Sequence, residues 1–338
     1  MHNKHIKQEL CSSILEENGG LIADKTRTML LDDPSLRDLH PPLEFLSRTW
    51  RDPLTPAMMI LSCATVGGNS EIVQEAASAM SLINLSFRIW DDMIDKTAIR
   101  SFRPTLYGKF GEGTALIVGG LLTAKAFSIL AQMDIDYHRR RKIDKLLWNL
   151  LSKMARAETI EMKLRSRLNS SSKDKFWKIK TEAADLDTCM KIGAILGRGS
   201  ENEILHLGKY GLCLGKITEL WKDFHVSINL TLELKQKIID KALPFAVMWA
   251  SEHADNLKRE LAAASDDENE PGYIKQIVVE ILGTGALDHI VRIMADFAEE
   301  GVAALLRLGS KEVSVLRLQS FIEAQPELFI ESLSVSRE

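Results

Sequence analysis

Residues 72–105, IVQEAASAMSLINLSFRIWDDMIDKTAIRSFRPT, decide how this chain is read. Apolar side chains recur at positions 72, 76, 80, 83, 87, 90 and 94, the spacing of one helical face. A polar stripe of Gln74, Ser81, Asn84, Arg88, Asp91 and Asp95 runs along another face. Asp91 and Asp95 are one turn apart and Asp92 sits beside them, so three carboxylates can converge on one point near the helix end. A bare helix disfavours this. Acids near a C-terminus oppose the macrodipole by about 0.3–1 kcal/mol each, and like charges one turn apart repel. Two arrangements would offset the cost. Clustered carboxylate oxygens suit a hard divalent cation such as Mg²⁺, which keeps several waters and shares its other ligands with substrate phosphates. Alternatively the face is solvated, with Arg88 and Lys96 each one turn from Asp92 and pairing with it.

The chain has 338 residues, 45% of them apolar and 27% charged, so it can bury a large core of ordinary globular composition. A net charge of −4 gives no basic signature for nucleic acid. The run His138-Arg139-Arg140-Arg141-Lys142 reads as the solvated start of a helix. Cys11, Cys63, Cys189 and Cys213 are far apart, fit no zinc spacing and read as buried hydrophobes. The first thirty residues hold no apolar signal core, and no uninterrupted apolar run reaches the length of a membrane span. A soluble, cytoplasmic protein is the expectation.

The pattern predicts helices almost throughout. One or two short helices over 5–33 break at Asn18-Gly19-Gly20, and five prolines between 34 and 56 mark turns. Residues 56–68 begin with Pro and end at Gly67-Gly68, as a helix does. Residues 112–133 are apolar nearly all round and read as a buried central helix. Further helical periods cover 134–168, 173–198, 201–230, 231–264 and 272–308, with a short one at 311–323. No alternating strand pattern with hairpin turns is evident. The fold class is therefore all-α: a single large bundle spanning 1–338, with 1–40 as an N-terminal helical extension and any ligand site between facing helices.

LINLSFRIWDDMID, followed by Arg100, Pro104-Thr105 and Phe110-Gly111 and then ALIVGGLLTAKAF at 115–127, resembles the trans-isoprenyl (polyprenyl) diphosphate synthases of the class I terpenoid synthase superfamily. Lys180-Thr181, Gly193-Ala194-Ile195-Leu196-Gly197, Tyr210-Gly211, Leu214-Gly215 and Ala242-Leu243-Pro244 continue the family's order. The resemblance runs from about residue 40 to about residue 320. It implies a bundle around a central cavity, in which Mg²⁺ ions held by two Asp-rich helices draw the diphosphate from an allylic substrate and leave a carbocation. On that reading Asp91, Asp92 and Asp95 hold metal, while Arg100, Lys180 and Thr181 touch the diphosphate. Phe87, one turn before Asp91, closes the pocket floor and keeps the prenyl chain short; without the resemblance it is one more core aromatic. The resemblance also implies a homodimer.

The departures are specific. Where the family has a basic Gly-Lys-Arg-x-Arg-Pro clamp for isopentenyl diphosphate, this chain has Asp52-Pro53-Leu54-Thr55, with Arg48 and Arg51 nearby but not at matching positions. Ser101 replaces a second arginine, and Trp90 replaces the histidine that usually precedes the aspartates in the family. The second Asp-rich motif aligns with Thr218-Glu219-Leu220-Trp221-Lys222-Asp223-Phe224-His225-Val226 and keeps one aspartate. Glu219 and Asp223, one turn apart, are candidate metal ligands. Lys222 is a candidate substrate contact, its ammonium standing where the family has a metal; the trio also reads as a plain salt-bridged patch. Burying a second diphosphate without cations costs several kcal/mol, so ordinary elongation is disfavoured. Prenyl transfer from an ionised allylic diphosphate, either to isopentenyl diphosphate or to another acceptor, is the leading reading. A terpene cyclase acting on one prenyl diphosphate, and a regulatory subunit of a heterodimer, are the alternatives.

Overall fold

The computed structural model describes residues 2–32, 34–100, 103–165, 185–229, 231–239, 243–263, 271–310 and 312–335. Among them the chain is helical apart from one small hairpin. In order come α1 (His2–Leu15), α2 (Leu21–Thr28), α3 (His40–Thr49), α4 (Leu54–Thr65), α5 (Gln74–Ile94), β1 (Ile99–Arg100), β2 (Arg103–Pro104), α6 (Leu106–Gln132) and α7 (Tyr137–Arg165). There follow α8 (Leu186–Leu196), α9 (Glu201–Asn229), α10 (Thr231–Ile239), α11 (Phe245–His253), α12 (Asp255–Ala263), α13 (Pro271–Gly283), α14 (Ala286–Leu306) and α15 (Val313–Val335). The all-α expectation holds. The hairpin, with Ile99 opposite Pro104 and Arg100 opposite Arg103, is too short to leave a strand pattern in the sequence.

The chain divides into two compact units. The first comprises Met1–Leu147, Asp185–Gly211 and Val302–Ile322; the second comprises Trp148–Ala184, Leu212–Gly301 and Glu323–Glu338. In the first unit α5 packs along α6, and α4 packs along α8. Every residue of α5 from Ala76 to Ile83 is buried, so its first half is core on all sides. Burying each of Met80, Leu82 and Ile83 contributes roughly 1.5–3 kcal/mol. The α5–α6 approach depends on Gly119, where a Cβ would stand 2.4 Å from Trp90 Nε1. Buried hydroxyls tie distant segments together. Thr26 Oγ1 donates to Ser78 Oγ at 2.9 Å, Ser62 Oγ to the Met190 carbonyl at 2.5 Å, and Tyr210 to the Leu318 carbonyl at 2.8 Å.

Several boundaries differ from the sequence reading. Asn18-Gly19-Gly20 does not break the helix: Glu16–Gly20 forms a π-helical turn between α1 and α2, with Gly20 still right-handed. Gly19 is needed for proximity instead, since a Cβ there would lie 2.0 Å from the Pro53 carbonyl oxygen. The 231–264 period resolves into α10, α11 and α12, and 272–308 splits around Gly285 (φ +83°). Helix α15 continues past the expected end at 323 and through Pro326, because Phe329 is buried against Phe224 at 5.3 Å and Trp221 at 5.8 Å.

Helix α6 corrects a clearer expectation. It buries only one face, Ala115, Val118, Gly119, Leu122, Ala126 and Leu130. The opposite face leaves Leu116 57% and Ile117 58% exposed, and Phe127 further along the helix is exposed too. An apolar residue fits a core and an outer face equally well, so composition did not separate the two. By length and composition alone α6 is also long and apolar enough to cross a membrane.

Candidate active site

Helix α5 ends at Ile94 with Asp95 as its C-cap, whose N–H donates to the Asp91 carbonyl at 2.9 Å. Lys96 then turns left-handed (φ 52°), and Thr97 N–H returns to the Asp92 carbonyl at 2.8 Å. Thr105 Oγ1 donates to the Thr97 carbonyl at 2.7 Å and accepts from Gly108 N–H at 2.9 Å, capping α6. This loop and its hairpin bring Arg100 back over the acidic end of α5. Arg100 Nη2 lies 2.6 Å from Asp92 Oδ1 and 3.3 Å from Asp91 Oδ2, and Arg100 Nε lies 3.0 Å from Asp92 Oδ1.

Asp92 is 5% exposed and Asp95 8%, so the solvated-face arrangement does not hold. Nor is Asp92 served chiefly by its own helix: its strongest cationic partner is Arg100 from the loop, and Arg88 acts on it more weakly. Burial pushes the Asp92 carboxyl up to about 6, Arg100 pulls it down, and the neighbouring Asp91 pushes it up again. One guanidinium therefore leaves the buried charge incompletely compensated, and a further cation would stabilise it. The donor set is all hard oxygen, which fits Mg²⁺ in chemistry. Among the described residues no three acidic, histidine or cysteine side chains are gathered at metal-binding separation; Asp91 and Asp92 close on Arg100 instead.

Up the same helix, Phe87 packs edge-on against Trp90 with ring centroids 5.3 Å apart. Trp90 Nε1 is buried without a hydrogen-bond partner. One turn earlier, Asn84 Nδ2 donates to Thr55 Oγ1 at 3.1 Å and to Asp185 Oδ2 at 2.5 Å. The Asp185 contact joins positions 101 residues apart, and no spacing in the sequence announces it. Lys180 and Thr181 lie outside the described residues.

The two arginines nearest the altered clamp are engaged elsewhere. Arg51 makes a bidentate pair with Glu16 (2.6 and 2.8 Å) and a third bond to Asp24 at 2.9 Å, pulling both carboxyls below their usual range. Arg48 pairs with Glu44 at 2.6 Å. Sequence reasoning missed the Arg51 pairing because Glu16 is 35 positions away.

In the second unit, Lys222 Nζ lies 2.8 Å from Glu219 Oε1. The Asp223 carboxylate accepts the Phe245 N–H at 2.6 Å and so holds the first residue of α11. Pro244, immediately before that helix, offers no side-chain cap, which is the signal that a remote acceptor was needed.

A family profile described as Polyprenyl synthetase matches residues 53–278. The geranylgeranyl diphosphate synthase of Methanosarcina mazei is 29% identical over 171 residues, which is 50% of this chain and 53% of that protein. The chain thus spans about half the length of that relative. The geranylgeranyl diphosphate synthase of Saccharolobus solfataricus is 25% identical over 233 residues, 68% of this chain and 67% of that one. Among solved structures, the geranylgeranyl pyrophosphate synthetase of Pyrococcus horikoshii superposes with a TM-score of 0.77 at 19% identity, covering 95% of this chain and 98% of that one. The polyprenyl synthase of Caulobacter crescentus, solved with calcium and isoprenyl diphosphate, gives 0.78 at 19% identity, covering 95% and 97%. With two thirds of its length under the family profile and the same all-α fold, the chain belongs to the polyprenyl synthetase family.

Proposed function

We propose that the chain acts as one synthase-like domain, a Mg²⁺-dependent enzyme that ionises an allylic prenyl diphosphate and transfers the prenyl group. The observation that carries this reading is the pairing of buried Asp92 with Arg100 at the end of α5, a carboxylate whose charge one arginine leaves undercompensated. The family match crosses both compact units, which supports a single functional domain.

Asp91, Asp92 and Asp95 are the residues that would hold Mg²⁺, with Glu219 and Asp223 as further candidates. Bound metal supplies Lewis-acid withdrawal of charge from the departing diphosphate. Arg100 grips diphosphate oxygens as they gain charge, with Lys180, Thr181 and Lys222 as further contacts. The C1–O bond breaks, its electron pair leaves with the diphosphate, and the allylic cation takes an electron pair from the acceptor, which then loses a proton. The acceptor is a molecule other than isopentenyl diphosphate. Asp52 stands in place of the basic clamp, and Arg51 and Arg48 are paired with Glu16, Asp24 and Glu44.

The exposed stripe of α6, Gly113, Leu116, Ile117, Gly120 and Phe127, supports a homodimer packed through that face. We place the enzyme in the cytoplasm.

One observation favours a regulatory subunit instead. Asp223 caps α11 and Lys222 pairs with Glu219, so the second motif is satisfied without metal. The test is incubation with Mg²⁺ and geranyl, farnesyl or geranylgeranyl diphosphate, each with and without isopentenyl diphosphate. Diphosphate release without isopentenyl diphosphate supports the reading, and hydrocarbon as the product would mark a cyclase. Inertness alone, relieved by a second subunit, marks the regulatory role.

A further inference from the structure

The basic run at the start of α7 has no part in the proposed reaction, and its side chains divide into two sets. Arg139 and Arg140 turn inward: Arg139 donates to the Leu196 carbonyl at 3.0 Å, and Arg140 donates to the Leu130 and Met133 carbonyls at the end of α6. Lys142 pairs with Glu201. Arg141 faces solvent instead, its guanidinium 5.7 Å from the centre of the Tyr137 ring. From Tyr137 one stripe runs along α7 at helical spacing through Arg141, Lys145, Trp148, Ser152 and Arg156, and each of these residues is exposed. The two aromatic rings are 67% and 71% exposed.

The opposite face of the helix, Ile143, Leu147, Leu150 and Ala157, is buried and holds it to the protein. The acids of α7 leave the stripe basic, since Asp144 only borders it and Glu158 and Glu161 lie off it. The stripe belongs to one helix, so it depends on no packing between elements. Amphipathic rings alternating with cations match an anionic lipid surface. Trp and Tyr settle at headgroup level, and each Lys or Arg beside anionic headgroups raises partition by about fivefold. Two other occupants fit less well. A single-stranded nucleic acid is held in a groove that tracks its backbone, whereas the outer side of a helix is convex. A second copy across a two-fold axis would set this stripe against itself, like charge to like charge.

We propose that α7 docks the protein by this stripe onto an anionic lipid surface. Arg141, Lys145 and Arg156 meet headgroup phosphates, and Tyr137 and Trp148 sit among the headgroups. Together the three cations favour an anionic over a neutral surface by about a hundredfold. The attachment is peripheral and reversible, and it holds whatever reaction the active site performs.

The test sediments the full chain with vesicles of phosphatidylcholine alone, or of phosphatidylcholine mixed with phosphatidylglycerol. The chain should bind the mixed vesicles, bind the neutral ones far less, and release as salt is raised. Arg141→Gln combined with Lys145→Gln should lower partition by about 25-fold, with a circular dichroism melt like that of the wild type. Asp144→Lys, a gain that no folding defect can mimic, should raise it severalfold. Tryptophan emission should shift to the blue on binding, and Trp148→Phe should remove that shift. Equal partition onto the two kinds of vesicle, no loss in the double variant, or no gain in Asp144→Lys would overturn the proposal. Retention on polyuridylate without vesicle binding would also overturn it and assign the stripe to nucleic acid.

Discussion

Arg100, on the first strand of the small hairpin that follows α5, places both Nε (3.0 Å) and Nη2 (2.6 Å) on the same Asp92 carboxylate oxygen. The other carboxylate of the pair, Asp91, meets the same Nη2 at 3.3 Å. One guanidinium thus spans two acids at the unfavourable end of a helix dipole.

Replacing it isolates a buried charge. Arg100→Gln should lose about 1–3 kcal/mol of stability, as expected when a buried charged group loses its main partner, measured by urea unfolding in EDTA. Turnover of allylic diphosphate should fall by roughly a hundredfold, the size of effect seen when one oxyanion-type donor is removed. Unchanged stability with unchanged turnover would mean that Arg100 is a bystander.

The Asp223–Phe245 hydrogen bond makes a prediction independent of metal. Asp223→Ala should destabilise the chain by about 0.5–2 kcal/mol, the range for loss of a helix cap, even with EDTA present. Asp223→Asn keeps an acceptor and should recover most of it. An Asp223→Ala protein as stable as wild type, in circular dichroism melts, would show the cap to be idle.

Arg51 gives the pH dependence. It holds Glu16 and Asp24 below their ordinary values of 4.5 and 3.8. Because the folded values lie below the unfolded ones, these pairs contribute stability above about pH 4.5 and lose it as pH falls through the folded values. The groups are about half exposed, so the contribution is at most about 1 kcal/mol per pair. Arg51→Ala should therefore lower stability at pH 7 and flatten the acid limb of the stability curve. The readout is urea midpoints from pH 3 to pH 7.

The outward face of α6 should govern assembly. Ile117→Glu, at a position 58% exposed in the single chain, should leave folding intact and convert a dimer to a monomer in sedimentation velocity. A wild-type chain that sediments as a monomer would remove the dimer from the proposal.

The helical period of 72–94 and the Pro and Gly signals around α4 were readable in the sequence, because local spacing carries them. What was not readable depends on distant partners. Nothing local says that Arg51 is taken by Glu16, that Asn84 meets Asp185, or that Asp223 serves a helix beginning at Phe245. Helix α6 shows the converse limit, since its apolar composition predicted burial on every side and only one face is covered. The last helix was expected to end at 323, yet Phe329 packing carries α15 through Pro326.

The central claim is that the acidic end of α5 drives departure of an allylic diphosphate. The most direct measurement is the rate of inorganic diphosphate release from farnesyl diphosphate, with Mg²⁺ or EDTA, by wild type and by Asp92→Asn. The account predicts Mg²⁺-dependent release by the wild type and a loss of at least a hundredfold in Asp92→Asn. Equal release rates in the two proteins, or release that persists in EDTA, would contradict it.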